Sequence, residues 1–317
     1  MDVGRTYCGR QYYWTHFIFA CGEAELLTIL EVRNLTKRYG GQLAVDDISF
    51  ALEAGTATAL IGPNGAGKTT ALSMLTGLLK ETSGSIKWDR QSGIGFLPQQ
   101  PRFFPWLTAL EFMEMTAKLS GVDAKKASLQ SKKTLEFVGL NSVQHKKTGT
   151  FSGGMKQRLG LAQAIVHEPK LLLLDEPVSA LDPTGRREVM DLLKSLQPQT
   201  TILYSTHILN DAEQMTDQLL FMQQGKLVEQ GSLAEVKERY AEARILIRFQ
   251  TASQAAAFAE QAIWPANLAG TIVALPGKGA AMKEVLAILS ENAEGVLGVE
   301  QQTATLEEIF LKVAGGK

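Results

Sequence analysis

One stretch constrains this chain more than any other: Gly62-Pro63-Asn64-Gly65-Ala66-Gly67-Lys68-Thr69-Thr70. It follows residues 57–61, which are short, apolar and β-leaning, and it precedes residues 71–79, whose apolar positions recur at helical spacing. The pattern G-x-x-x-x-G-K-T therefore stands between a buried strand and the start of a helix, where a phosphate cradle has to stand. Gly62, Gly65 and Gly67 lack a Cβ, so the backbone can curl and turn its N–H groups inward. The helix adds the positive end of its dipole. Lys68 brings a mobile cation for the β- and γ-phosphates, and the Thr69 hydroxyl is placed to ligate Mg²⁺.

A second anion site is written further on. In Phe151-Ser152-Gly153-Gly154-Met155-Lys156-Gln157-Arg158, Ser152 suits a helix N-cap and the two glycines leave N–H groups open at the helix start. Then comes Leu171-Leu172-Leu173-Leu174-Asp175-Glu176-Pro177. Four consecutive leucines read as a strand buried on both faces, hence parallel. Ligands of such sheets gather at the strands' carboxyl ends. Asp175 there suits Mg²⁺, and Glu176 suits activation of water. Residues 201–207 form a second buried-type strand ending in His207, which at that edge suits a γ-phosphate contact. Tyr39, upstream of the glycine loop, carries a ring that can stack on a base.

The rest of the chain arranges itself around these motifs. Residues 28–33 and 48–52 read as strands, with 35–41 as a loop between them. The helix after the glycine loop is expected to run to Thr82-Ser83-Gly84, followed by a strand over 85–88 and another from Ile94 toward Gln99-Gln100. Helices over 109–119, 128–138 and after Gly153 make an α-rich block at about 100–168. Its lysine pairs (125–126, 132–133 and 146–147) read as solvated faces. A hairpin spans 218–230 and a helix 232–240. Beyond it, strands over 244–249, 270–274 and 295–301 alternate with helices over 251–262, 280–290 and 306–313, an order that suggests a ferredoxin-like module.

Residues 1–26 differ from the remainder of the chain. The run 11–21 is aromatic-rich and aperiodic, at the lower length limit for a signal peptide and too short for an anchor. It reads as an irregular extension, with a natural start nearer Leu27. Cys8 and Cys21 fit neither a zinc knuckle nor a redox pair, and free thiols fit a reducing cytosol. The net charge of -1 gives no reason to expect a nucleic-acid partner. No apolar run reaches the ~18 residues of a membrane span.

Taken together, these motifs resemble the ATP-binding cassette (ABC) ATPase family over about residues 30–240. Gly62 to Thr70 is similar to its Walker A loop and Leu171 to Glu176 to Walker B. Gln99 falls at the Q-loop, Ser152-Gly153-Gly154 at the signature motif, residues 179–182 at the D-loop, His207 at the switch histidine and Tyr39 at the base-stacking position. Phe151 stands where the family usually has leucine. The stretches 35–40, 154–158, 205–209 and 305–310 look most like the single-cassette subunits of ABC-2-type bacterial exporters.

The resemblance implies a P-loop NTPase fold: a RecA-like parallel-sheet core, an antiparallel β subdomain and an α-helical subdomain in 27–240, then the small α/β module of 241–317. It implies ATP and Mg²⁺, the metal held by Thr69, Gln99 and Asp175. Gly62, Pro63, Asn64, Gly65, Ala66, Gly67, Lys68, Thr69, Thr70 and Tyr39 would bind ATP, with Ser152, Gly153 and Gly154 acting on the ATP of a second copy. Lys68, Gln99, Glu176 and His207 would be the catalytic set. Phe103, Phe104 and Trp106 would help grip a separate membrane permease, with the chain peripheral at the cytoplasmic face. The C-terminal module could pair subunits, regulate turnover or stabilise a dimer. A soluble ABC ATPase of ribosome or DNA is the alternative, but that class usually carries two cassettes or a long coiled coil.

Overall fold

The computed structural model describes residues 27–88, 93–179, 181–240, 244–276, 282–291, 295–302 and 304–315. The extension 1–26 with both cysteines, and Ala180 of the expected D-loop, lie outside the described residues. The central sheet has the order β5-β6-β7-β3-β8-β9. These strands are β3 (Ala57–Ile61), β5 (Ile94–Leu97), β6 (Leu171–Asp175), β7 (Thr201–Thr206), β8 (Gln218–Gln223) and β9 (Lys226–Ser232). The first five run parallel, and β9 returns antiparallel from the turn at Gln224-Gly225. Every residue of β3, β6 and β7 is buried. The leucine run explains why: Leu171 and Leu173 enter one core, while Leu172 and Leu174 enter the other. Each such side chain removed from water is worth about 1.5–3 kcal/mol.

One core lies between this sheet and a three-stranded antiparallel sheet, β2-β1-β4, built from β1 (Thr28–Tyr39), β2 (Gln42–Glu53) and β4 (Ser83–Trp88). The other is covered by α5 (Pro183–Leu196), α6 (Leu209–Met215) and the α-rich block of α2 (Ala109–Leu119), α3 (Ala124–Phe137) and α4 (Gly153–Ile165).

Three local expectations need correction. Residues 35–41 are not a loop: β1 continues to Tyr39, paired to Gln42, and only Gly40-Gly41 turns. Asn34 enters the left-handed region (φ 50°), and its side-chain amide donates to Asp47 Oδ1 at 2.8 Å. That bulge absorbs the irregular pattern and lets a polar strand stay in register. The glycine-loop helix, α1 (Lys68–Leu75), stops well before Thr82, because Gly77 takes φ 75° just past its end. Helix α3 starts earlier than expected, capped by Asp123, whose carboxylate accepts from Lys125 N–H at 2.8 Å.

The chain then passes through α7 (Leu233–Tyr240) into a module with its own core. Its elements are β10 (Arg244–Phe249), α8 (Ala252–Gln261), β11 (Asn267–Ala269), β12 (Ile272–Pro276), α9 (Met282–Glu291) and β13 (Val296–Gln302). The three-residue β11 was not legible in the sequence. With it the order is βαββαβ and the sheet runs β11-β12-β10-β13, the ferredoxin-like arrangement. The last helix, α10 (Leu306–Gly315), leaves this module and packs on the cassette: Leu306 and Ile309 are fully buried in its core, and the ring of Phe310 lies 5.8 Å from that of Phe221 on β8.

Candidate functional site

The glycine loop folds as a tight nest between β3 and α1. Gly67 caps α1 at φ 103°, and a Cβ there would lie 2.3 Å from the Ala44 carbonyl oxygen. A Cβ on Gly62 would lie 2.2 Å from the Met222 carbonyl oxygen. Both positions therefore require glycine for close backbone approach. Gly225 N–H donates to Ala66 O at 3.0 Å, which ties the loop to the β8–β9 turn. Lys68 is buried, and its ammonium donates to the carbonyls of Gly62 (2.7 Å) and Pro63 (3.1 Å). Burial pushes its pKa below the usual lysine value, and the charges of Glu176 and Asp175 pull against that. A cation held this way, short of a full counter-charge, is prepared for phosphate.

The loop opens onto a cleft of about 570 Å³. Residues 64–70 form one wall, Gln99 and Glu176 another, and Gln42, Leu43, Ala44, Gln224 and Gly225 the rim. Tyr39 is 52% exposed and does not itself line the cleft, but it pairs with Gln42 at the rim. The ammonium of Lys37 sits 5.1 Å from the centre of its ring.

Opposite the loop, two side chains converge on one carboxylate. Gln99 Nε2 donates to Glu176 Oε2 at 3.3 Å, and His207 Nδ1 lies 3.1 Å from Glu176 Oε1. Asp175 is buried beneath them and accepts from Ser205 Oγ at 2.6 Å. Ser205 Oγ in turn accepts from Glu176 N–H at 2.9 Å. Sequence reasoning passed over Ser205; a hydroxyl inside the apolar run Ile202-Leu203-Tyr204-Ser205 was the available signal.

For Mg²⁺, Thr69 and Gln99 place oxygen donors on the cleft wall, whereas Asp175 is buried and does not itself line the cleft. Among the described residues no group of three or more His, Cys, Asp or Glu can hold a metal unaided. The oxygen donors fit a hard cation that also takes ligands from phosphate.

The second helix end stands elsewhere. Ser152 caps α4, its hydroxyl accepting from Met155 N–H at 3.3 Å, and Ser152 and Gly153 are exposed. None of Ser152, Gly153 and Gly154 lines the cleft. The aromatic cluster expected near the α-rich block also divides: Phe104 and Trp106 are exposed with rings 5.3 Å apart, whereas Phe103 is half-buried, its ring edge-on to Phe112.

Comparison with known proteins agrees with this geometry. Residues 45–179 match the family model described as ABC transporter, and residues 231–314 match that of the C-terminal domain of DrrA1-3-like ATP-binding proteins. The chain is 42% identical over 296 residues to an uncharacterised ABC transporter ATP-binding protein, YxlF, of Bacillus subtilis (strain 168), covering 90% of this chain and 99% of the relative. It is 36% identical over 307 residues to BcrA, the bacitracin transport ATP-binding protein of Bacillus licheniformis, covering 91% of this chain and 98% of the relative. Among solved structures, the dimeric post-hydrolysis state of the ATP-binding cassette MJ0796 with ADP and Pi superposes with a TM-score of 0.60 at 26% identity, covering 64% of this chain and 98% of that one. The glycine loop, the carboxylate cluster and these relatives lead to one conclusion: the chain belongs to the ATP-binding proteins of the ABC transporter family, and it is an ATPase that powers such a transporter.

Proposed function

We propose that two copies of this chain close head to tail on two ATP molecules and drive a separate membrane permease, in the direction of export. The single observation that carries this reading is the pair of phosphate-type helix ends in one chain, only one of which faces the chain's own cleft. An exposed, serine-capped, glycine-opened helix end has its use when it reaches the γ-phosphate held by the Lys68 of the other copy.

Within one site the roles follow from position. The loop N–H groups and Lys68 hold the β- and γ-phosphates, and Tyr39 stacks on the base. Thr69, Gln99 and Asp175 would hold Mg²⁺, which would neutralise charge on the phosphates. Glu176 orients a water and accepts its proton while the water oxygen bonds to the γ-phosphorus and the bond to ADP breaks. His207, beside Glu176, contacts the γ-phosphate. Gln99 donates to Glu176 and would also reach the metal, so it would report occupancy to the α-rich block. There the exposed Phe104–Trp106 pair offers an aromatic grip for a permease helix.

No helix among the described residues is long and apolar enough to cross a membrane; the peripheral place at the cytoplasmic face that we propose rests on the likeness to ABC transporter ATP-binding proteins. Export as the direction rests on relatives named for bacitracin transport, linearmycin resistance and Nod factor export. The test is co-purification of the Glu176→Gln chain with ATP from native membranes. Recovery of a polytopic membrane protein is expected. Recovery of ribosomes or DNA-repair proteins in its place would overturn the transport reading.

A further inference from the structure

Glu176 is held in a conformation that a residue with a side chain adopts only under constraint: its φ is 48°. Such a conformation is strained and persists only where its surroundings over-determine it. Two side chains do so here. Ser205 accepts from the Glu176 N–H on one side. On the other, Gln157 Nε2 donates to the carbonyl oxygen of Pro177 at 2.8 Å.

Gln157 is 4% exposed and lies among the apolar residues of α4 that face the core. An aliphatic side chain would pack there at no desolvation cost, so a buried amide needs a reason. The reason on this geometry is the Pro177 carbonyl, to which Gln157 is the one side-chain donor among the described residues. Gln157 also stands in the second turn of α4, the helix whose open end carries Ser152, Gly153 and Gly154. One helix thus presents a phosphate-type end to the outside and, a turn later, holds the peptide that follows the catalytic carboxylate.

We infer that Gln157 is a positioning residue that sets Glu176 in its own chain according to what the far end of α4 has engaged. The inference rests on the head-to-tail reading. When the Ser152 end of α4 seats on the γ-phosphate bound by the partner, α4 shifts as a rigid rod. Gln157 moves with it and draws the Pro177 carbonyl, and the strained Glu176 turns toward its own water. Each base is therefore set by the ATP in the other site, and the two sites fire in concert.

Mixed dimers separate this role from a structural one. Two tagged copies are co-expressed, one silenced by Glu176→Gln, and Gln157→Met is placed either in the working chain or in the silenced chain. Methionine keeps the volume and removes the donor; Gln157→Leu serves if the methionine chain does not fold. The expected result is the larger loss, about tenfold in kcat with little change in KM, when the substitution is in the working chain, since misplacing a catalytic group by about 1 Å costs up to a hundredfold. A larger loss with the substitution in the silenced chain would mean that Gln157 only shapes the Ser152 end, and would overturn the inference. Equal losses in both arrangements would mean general damage and would overturn it too. Mixed dimers that fail to form with ATP would instead break the head-to-tail reading, and this inference with it.

Discussion

The two glycine-opened helix ends use the same physics to opposite effect. At α1 the end is closed off by its own chain on one side and faces the cleft on the other: Gly67 lies tight against Ala44, the loop is tied to the β8–β9 turn, and the buried Lys68 donates to the loop's own carbonyls. At α4 the end is capped by Ser152 and exposed. A closed end can hold phosphate by itself. An open end offers a few N–H groups and part of a dipole, about 0.3–1 kcal/mol at a surface, too little to select a nucleotide from solution. The difference teaches that the first end binds and the second waits for a ligand that something else has already placed.

That contrast can be broken at several points. The largest effect is expected at Glu176→Gln, with kcat falling about 10²- to 10⁴-fold while ATP still binds, as measured by phosphate release and by nucleotide titration. Next is Lys68→Met at the closed end. Losing one charge-assisted contact of about 1.5–3 kcal/mol weakens ATP binding about ten- to a hundredfold, read by fluorescent-nucleotide titration of the single chain. Gly67→Ala strains a positive φ and drives a Cβ against the Ala44 carbonyl, so the melting temperature and ATP affinity should both fall, by about 1–3 kcal/mol in stability. A Cβ added at Gly153 would meet nothing within 4 Å, so Gly153→Ala should leave the melting temperature and single-chain ATP affinity alone while weakening ATP-driven association. Should Gly153→Ala weaken ATP binding by the isolated chain, the distinction between the two ends would collapse.

Much of this was legible in the sequence because the chemistry demands particular residues at fixed spacing. Lys68 and Thr69 after the glycines, Asp175-Glu176 after a leucine run and His207 at the end of an apolar strand all stand where strand ends had to bring them. Legibility failed where long-range contact decides. The polar end of β1 around Tyr39 is a strand because β2 pairs with it. Helix α1 ends at Gly77 rather than at the later glycine. The strand β11 is too short to carry a pattern. Ser205 and Gln157 look like ordinary polar residues in sequence; their roles appear only once the backbone of Glu176 and Pro177 lies between them. Likewise α10 reads as part of the C-terminal module, yet Leu306 and Ile309 enter the cassette core.

The central claim is that the open end of one copy closes on the nucleotide held by another. It is tested most directly by light scattering of the purified Glu176→Gln chain, with Mg²⁺ and with ATP, ADP or no nucleotide. The account predicts twice the monomer mass with ATP and monomer mass otherwise, with Ser152→Ala in the same chain shifting the ATP sample back toward monomer. A mass that ignores the nucleotide, at concentrations where ATP is shown to be bound, would contradict it.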